Sequence, residues 1–243
     1  MKKIFLFLFL LLVSAGTAIA EKTGDAGGAL TGNNVFDMFK KGGIIMWPIL
    51  LCSIIAFAFI LERIVALRSS VIFPKKFLAQ IKSLISDEKV DEAADLCKEN
   101  KSPFARLINA CLSRANTSGF EMETALEEAG SRVLYDLRKN AKPLGVIADV
   151  SPLLGLMGTV VGMIKAFEVV AKTGALGRTE MLAEGISEAL LTTAFGLSVA
   201  IPSLLFYQYF RGKADNFLRE MEDACIEIMA DIRGYDSSNN IKE

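Results

Sequence analysis

Residues 144–170 read LGVIADVSPLLGLMGTVVGMIKAFEVV and residues 186–210 read ISEALLTTAFGLSVAIPSLLFYQYF. Only four charged side chains interrupt them, Asp149, Lys165, Glu168 and Glu188. A helix needs about 20 mostly apolar residues to cross a hydrocarbon core of about 30 Å, and each run supplies more. Each also carries one internal proline, Pro152 and Pro202. Membrane helices tolerate proline where neighbouring helices can satisfy the backbone groups it frees. Gly155, Gly158 and Gly162 recur at helical spacing on one face of the first run, with Thr159 close to that face. Ala189, Thr193, Gly196 and Ala200 form a second small-residue stripe. Small residues let two helix backbones approach closely, while a threonine hydroxyl can bond across the contact or back into its own helix. Pure packing and a polar-lined contact both fit these stripes.

A third apolar block, residues 44–61, contains no charge, begins beside Trp47 and Pro48, and is closed by Glu62, Arg63 and Arg68. Tryptophan favours the membrane interface and proline suits the first turn of a helix. Just before it, Phe36, Met38 and Phe39 with two lysines suit a short helix lying on the outer surface. At the start of the chain, Lys2 and Lys3 precede an apolar stretch of about ten residues, Ile4 to Val13, and then Ala18-Ile19-Ala20. This reads as a signal peptide cut after Ala20, with an uncleaved anchor as the alternative. Cleavage leaves 25 basic against 28 acidic groups and an N-terminus outside the cytoplasm.

The flanks agree with that orientation. Arg63, Arg68, Arg138, Lys139, Lys142, Arg211 and Lys213 then fall inside, and Lys40, Lys41, Lys172 and Arg178 outside. The expected plan is an all-α membrane protein with three transmembrane helices, the second and third extended into the cytoplasm, plus a helical cytoplasmic insertion. Its segments are a signal peptide (1–20), an outer N-terminal segment (21–43) and a first span (44–67), then a cytoplasmic helical region (68–142). A second span (143–170), an outer loop (171–185), a third span (186–210) and a cytoplasmic helix and tail (211–243) follow.

The cytoplasmic stretch from Arg68 to Lys142 holds 13 basic and 11 acidic residues. Pro74 precedes a helical pattern with Phe77, Ile81, Leu84 and Ile85 on one face. Asp87 suits the cap of a second helix carrying Val90, Ala93, Ala94 and Cys97. Pro103 starts a third, with Phe104, Leu107, Ile108 and Cys111 as its stripe. No breaker appears from Phe120 to Pro143, so one helix of about 75 Å is expected to run from residue 120 to residue 170. Arg211 to Arg233 continues the last span, and the tail after Gly234 reads as polar and irregular. The sequon Asn116-Thr117-Ser118 carries no meaning in a cytoplasmic loop.

Composition removes other functions. Mean hydropathy is +0.39 although 23% of residues are charged, so the apolar residues must be gathered in blocks. A formal charge of −1 shows no nucleic-acid footprint. The chain has no histidine, which is the commonest general base and metal ligand. Cys52, Cys97, Cys111 and Cys225 lack metal-ligand spacing and read as reduced thiols. No phosphate-binding GxxxxGK loop or nucleophile–base pair is present. An enzyme, a cofactor and a metal are therefore not expected.

Among the acids of the membrane runs, Asp149 lies in the inner part and can reach interfacial water. Glu168 is placed to pair with Lys165 or Lys172. Glu188 stands about 7.5 Å above Thr193 by helical rise. Intramembrane carboxylates are costly and point to function, but none of these sits at mid-membrane beside the threonines. A proton crossing here would need a titrating group from a partner.

The run Ala148 to Phe167, ADVSPLLGLMGTVVGMIKAF, closely resembles the second membrane segment of the MotA/TolQ/ExbB proton-channel family. Gly185 to Pro202, GISEALLTTAFGLSVAIP, resembles its third. The resemblance extends over most of the chain from Phe36 to Arg233. It implies an inner-membrane ring of five copies around the helices of two copies of an ExbD-like single-span partner. The partner's membrane aspartate would carry the proton, and the force would pass to a TonB-like protein that opens outer-membrane transporters. On this resemblance Thr159 and Thr193 correspond to the pore threonines, Glu188 to the outer glutamate, and Pro152 and Pro202 to the turn-and-hinge prolines. Asp149 is a candidate for the inner end of the path. A TolQ-like role in envelope maintenance is the alternative within the family, and a non-conducting membrane scaffold the alternative outside it.

Overall fold

The computed structural model describes residues 42–87, 89–114, 117, 119–173 and 179–239. The signal peptide, nearly all of the outer N-terminal segment, the sequon residues Asn116 and Ser118, and Arg178 of the outer loop lie outside the described residues. Every element among the described residues is a helix. In chain order they are α1 (Met46–Ala66), α2 (Ser69–Ile72), α3 (Lys75–Ser86), α4 (Val90–Glu99), α5 (Pro103–Leu112), α6 (Gly119–Lys139), α7 (Lys142–Thr173) and α8 (Thr179–Asn239). Three of them, α1, α7 and part of α8, are long and apolar enough to cross a membrane. The backbone divides into two compact units, one with residues up to Ile60 and Lys142–Tyr207, the other with Leu61–Ala141 and Gln208 onward.

The first unit holds the apolar runs. On α1 the buried positions Met46, Ile49, Ala56 and Ile60 follow helical spacing. Leu51, Ile54 and Phe57 are exposed on the same helix, as suits a surface facing lipid or another subunit.

The second unit is a helical bundle with an ordinary large-residue core. α3 packs on α4, α4 on α5 and α5 on α6. Phe77, Ile81 and Ile85 bury the inner face of α3, and Phe104, Leu107, Ile108 and Cys111 that of α5. The Phe104 ring meets Phe73 edge-on at 4.5 Å and Phe77 at 6.2 Å. Helix α5 begins where proline is favoured, with the Ser102 hydroxyl accepting from the Ala105 amide at 3.2 Å. The C-terminal half of α8 contributes Phe217, Met221, Cys225 and Ile228 to the core. Lys82 pairs with Glu227 at 2.6 Å, and Arg138 pairs with Asp215. The buried Arg63 donates to the Leu137 carbonyl at 3.2 Å, in the last turn of α6 where cations are favoured, and to the Glu62 carboxylate.

Three local expectations fail. The helix from Phe120 does not run into the second span: α6 ends at Lys139 and α7 starts at Lys142. Pro143 has no N–H, and its ring excludes the carbonyl of Lys139, so the chain closes with an Ala141 amide bond to Arg138 at 3.0 Å. Asp87 does not start α4. It ends α3, its amide bonding Ser83 at 3.0 Å, and Lys89 bonds back to Leu84 at 2.9 Å, so α4 opens only after Lys89. Nor is the segment after Gly234 irregular, since α8 continues to Asn239. No proline follows to stop it, and polar residues other than proline only mildly disfavour a helix.

The four cysteines are free thiols, as expected, and Cys97, Cys111 and Cys225 are all buried in the second unit. Burial pushes the Cys97 thiol up to about 11.

Candidate functional site

α7 and α8 meet as an antiparallel pair along a seam of small residues. Along α7 from its N-terminal toward its C-terminal end, Ser151, Gly155, Gly158, Gly162 and Ala166 face Gly196, Thr193, Thr192, Ala189 and Gly185 of α8. A Cβ added at Gly155 would lie 3.1 Å from the Thr192 carbonyl and from the Thr193 Cα. One at Gly196 would lie 2.6 Å from the Ser151 carbonyl, and one at Gly162 3.0 Å from the Gly185 carbonyl. At Gly196 the backbone approach leaves no room for a Cβ, and at Gly155 and Gly162 a Cβ would press on the facing backbone.

The threonines divide between the seam and its flank. Thr193 is half-buried and donates its hydroxyl to the Gly155 carbonyl of the facing helix at 3.2 Å. Thr159, also half-buried, donates back to Leu156 of its own helix at 2.7 Å. Their hydroxyls thus bond different carbonyls. The sequence stripe had Thr193 in line with Ala189 and Gly196, but the fully buried member of that line is Thr192, which sits against Gly158 and donates to Ala189 at 2.8 Å. Ala200 continues the line and is buried. Ser151 is the other residue the sequence reading missed. It is fully buried, and its Oγ has no hydrogen-bond partner among the described residues.

The carboxylates are set apart. Glu188, only 17% exposed, pairs with Lys165 across the two helices at 2.6 Å. Of the two lysines expected for Glu168, Lys165 reaches the facing helix with its ammonium. The second lysine offered for Glu168, Lys172, has its side chain outside the described residues. Asp149 is exposed on α7. Pro152 and Pro202 lie inside their helices without breaking them. Among the described residues no cluster of three or more acidic, cysteine or histidine side chains is arranged to hold a metal.

Three apolar spans, two of them joined by a glycine–threonine seam, define a multi-pass membrane protein. The model of the MotA/TolQ/ExbB proton channel family matches residues 99–223, and the chain belongs to that family. The family comprises transport and channel proteins rather than enzymes. An ExbB-like biopolymer transport protein of Synechocystis is 33% identical over 175 residues, covering 70% of this chain and 81% of that protein. The biopolymer transport protein ExbB of Salmonella typhimurium is 27% identical over 216 residues, covering 81% and 85%. The Tol-Pal system protein TolQ of Haemophilus influenzae is 43% identical over 84 residues, covering 34% and 36%.

Proposed function

We propose that the chain is an inner-membrane proton-channel subunit that works with an ExbD-like single-span partner. Together they convert proton motive force into mechanical work that a TonB-like protein carries to outer-membrane transporters. The observation that carries this reading is the family match over residues 99–223, which takes in both glycine–threonine runs. Five copies surround the partner's helices, the mature N-terminus lies in the periplasm after loss of residues 1–20, and the C-terminus lies in the cytoplasm. Thr159 and Thr193 solvate the path, Glu188 stands at its outer end and Asp149 at its inner end. Pro152 and Pro202 are the hinges, and the glycine–alanine seam keeps the wall of the path at constant spacing.

The chemistry of this chain favours a partner that supplies the titrating group. A threonine hydroxyl does not titrate usefully, and the best-placed acid, Glu188, already has an ammonium against it. What Thr193 offers is lone pairs: its proton goes to Gly155, leaving the oxygen free to accept from water or from a protonated carboxyl. Thr193→Val keeps the shape and removes the oxygen. It should leave the protein at normal abundance and lower energised uptake in cells by about tenfold or more, as loss of a polar group acting in the transport step would. Full uptake with normal abundance would refute the proton-path role.

A TolQ-like role in envelope maintenance is favoured by the 43% identity with TolQ over 84 residues. A deletion strain decides between them: loss of iron-chelate uptake supports the first role, detergent sensitivity with intact uptake the second.

A further inference from the structure

The proton-channel reading leaves the basic residue in the second span without a task. Lys165 sits within the apolar part of α7, where an ammonium is costly unless it is paired or reaches the interface. Its Nζ lies 2.6 Å from Glu188 Oε1 on α8. The two side chains are unequal, with Glu188 17% exposed and Lys165 49%. The lysine therefore reaches in from the more open side to cover a carboxylate that is mostly enclosed. The chain entering α1 supplies the third wall. Gly43 has φ +70°, the left-handed region that favours glycine, and a Cβ there would overlap Glu188 Oε1. Lys165 Nζ would lie 3.5 Å from the same added atom. Three segments far apart in sequence thus meet on one carboxylate oxygen, and one of them is held in a conformation that needs glycine.

Resting on the reading above, we propose that Lys165 is a positioning residue that holds the Glu188 carboxylate clamped beneath Gly43. Glu188 then serves the outer mouth in the place and orientation that the pair fixes. Removing the ammonium forfeits a charge-assisted hydrogen bond and leaves a mostly enclosed carboxylate without that partner. The clamp adds a charged contact where the pre-α1 segment meets the α7–α8 pair.

The test uses the full-length gene at its own locus, with energised uptake in cells and thermal unfolding of the purified complex as separate readouts. Lys165→Gln and Glu188→Gln should each lower uptake about tenfold and lower the unfolding midpoint. Lys165→Arg, which keeps the charge, should stay within about threefold of wild type. The exchange Lys165→Glu with Glu188→Lys should recover the unfolding midpoint, because the pair is rebuilt with its ends reversed. An exchange variant whose unfolding midpoint stays as low as in Glu188→Gln would overturn the proposal, since rebuilding the pair would then not rebuild the clamp. Unchanged midpoints in both single variants would also overturn it. If Thr193→Val and all these variants take up cargo normally while the midpoints behave as stated, the clamp stands and the proton-channel reading falls. The reverse pattern, uptake lost in Thr193→Val but unaffected by Lys165→Gln, removes the clamp alone.

Discussion

The two halves of α8 bury the same periodic stripe with opposite side-chain sizes. Up to Ser203 the buried line is Gly185, Ala189, Thr192, Gly196, Ala200 and Ser203. From Phe210 onward it is Phe210, Ala214, Phe217, Met221, Cys225 and Ile228. In water, a large apolar residue on the line is favoured because its burial removes area from solvent at about 25 cal/mol per Å². Between lipid tails no such gain exists, and contact has to come from close backbone approach, van der Waals packing and hydrogen bonds such as Thr193 to Gly155. The size change along one helix marks a change of solvent more sharply than the charge pattern does.

This contrast can be broken at either end. The largest effect is expected from Gly196→Leu. Even a bare Cβ would stand 2.6 Å from the Ser151 backbone oxygen, so no rotamer relieves it. The cost should exceed about 3 kcal/mol, the upper range for overpacking, and folded protein should disappear from gently solubilised membranes. Next is Phe104→Ala, which empties a fully buried ring site in the large-residue core and should destabilise by about 3–5 kcal/mol in chemical denaturation. If it costs no more than an exposed substitution, the second unit is not held by its apolar core.

A subtler probe is alkaline pH. Burial raises the Cys97 thiol from its ordinary 9.0 to about 11, so on unfolding it would ionise more readily. The folded form binds the extra proton in that window, and stability should fall as pH rises from 9.0 to about 11. Hydrogen exchange of α4 amides should follow this fall, and Cys97→Ala should remove that residue's share. The smallest effect belongs to Gly212, where an added Cβ meets nothing within 4 Å. Gly212→Ala should stabilise α8 by about 0.5–1 kcal/mol, seen as a rise of a few degrees in thermal unfolding.

Much of the architecture can be read from the sequence because apolar length and helical period are local properties. The spans around Gly155 and Gly196, the stripe Phe104, Leu107, Ile108 and Cys111, and the start of α5 at Pro103 are all of this kind. What escaped depends on how two helices are rotated and registered. Thr192 and Thr193 are neighbours, and only the facing helix decides which of them meets Gly158. Lys165 has Glu168 one turn away on its own helix, so the local pairing looked sufficient. The antiparallel register instead brings Glu188 to it from 23 residues away. The break before Lys142 was missed for another reason: Pro143 fits the first turn of the helix it opens, while its effect falls on the helix that precedes it.

Pro152 removes the amide that would bond the Ala148 carbonyl, and Pro202 removes the one for Ser198. In the antiparallel register set by Ser151 facing Gly196 and Gly145 facing Tyr207, these two defects fall within about one helical turn of each other. A helix resists bending because each turn's hydrogen bonds must stretch or compress, so its stiffness drops where a bond is missing. If the pair bends, the missing bonds make this one level, beside Ser151, the place of least resistance, while the glycine contacts from Gly155 onward hold the two helices together like the leaves of a spring.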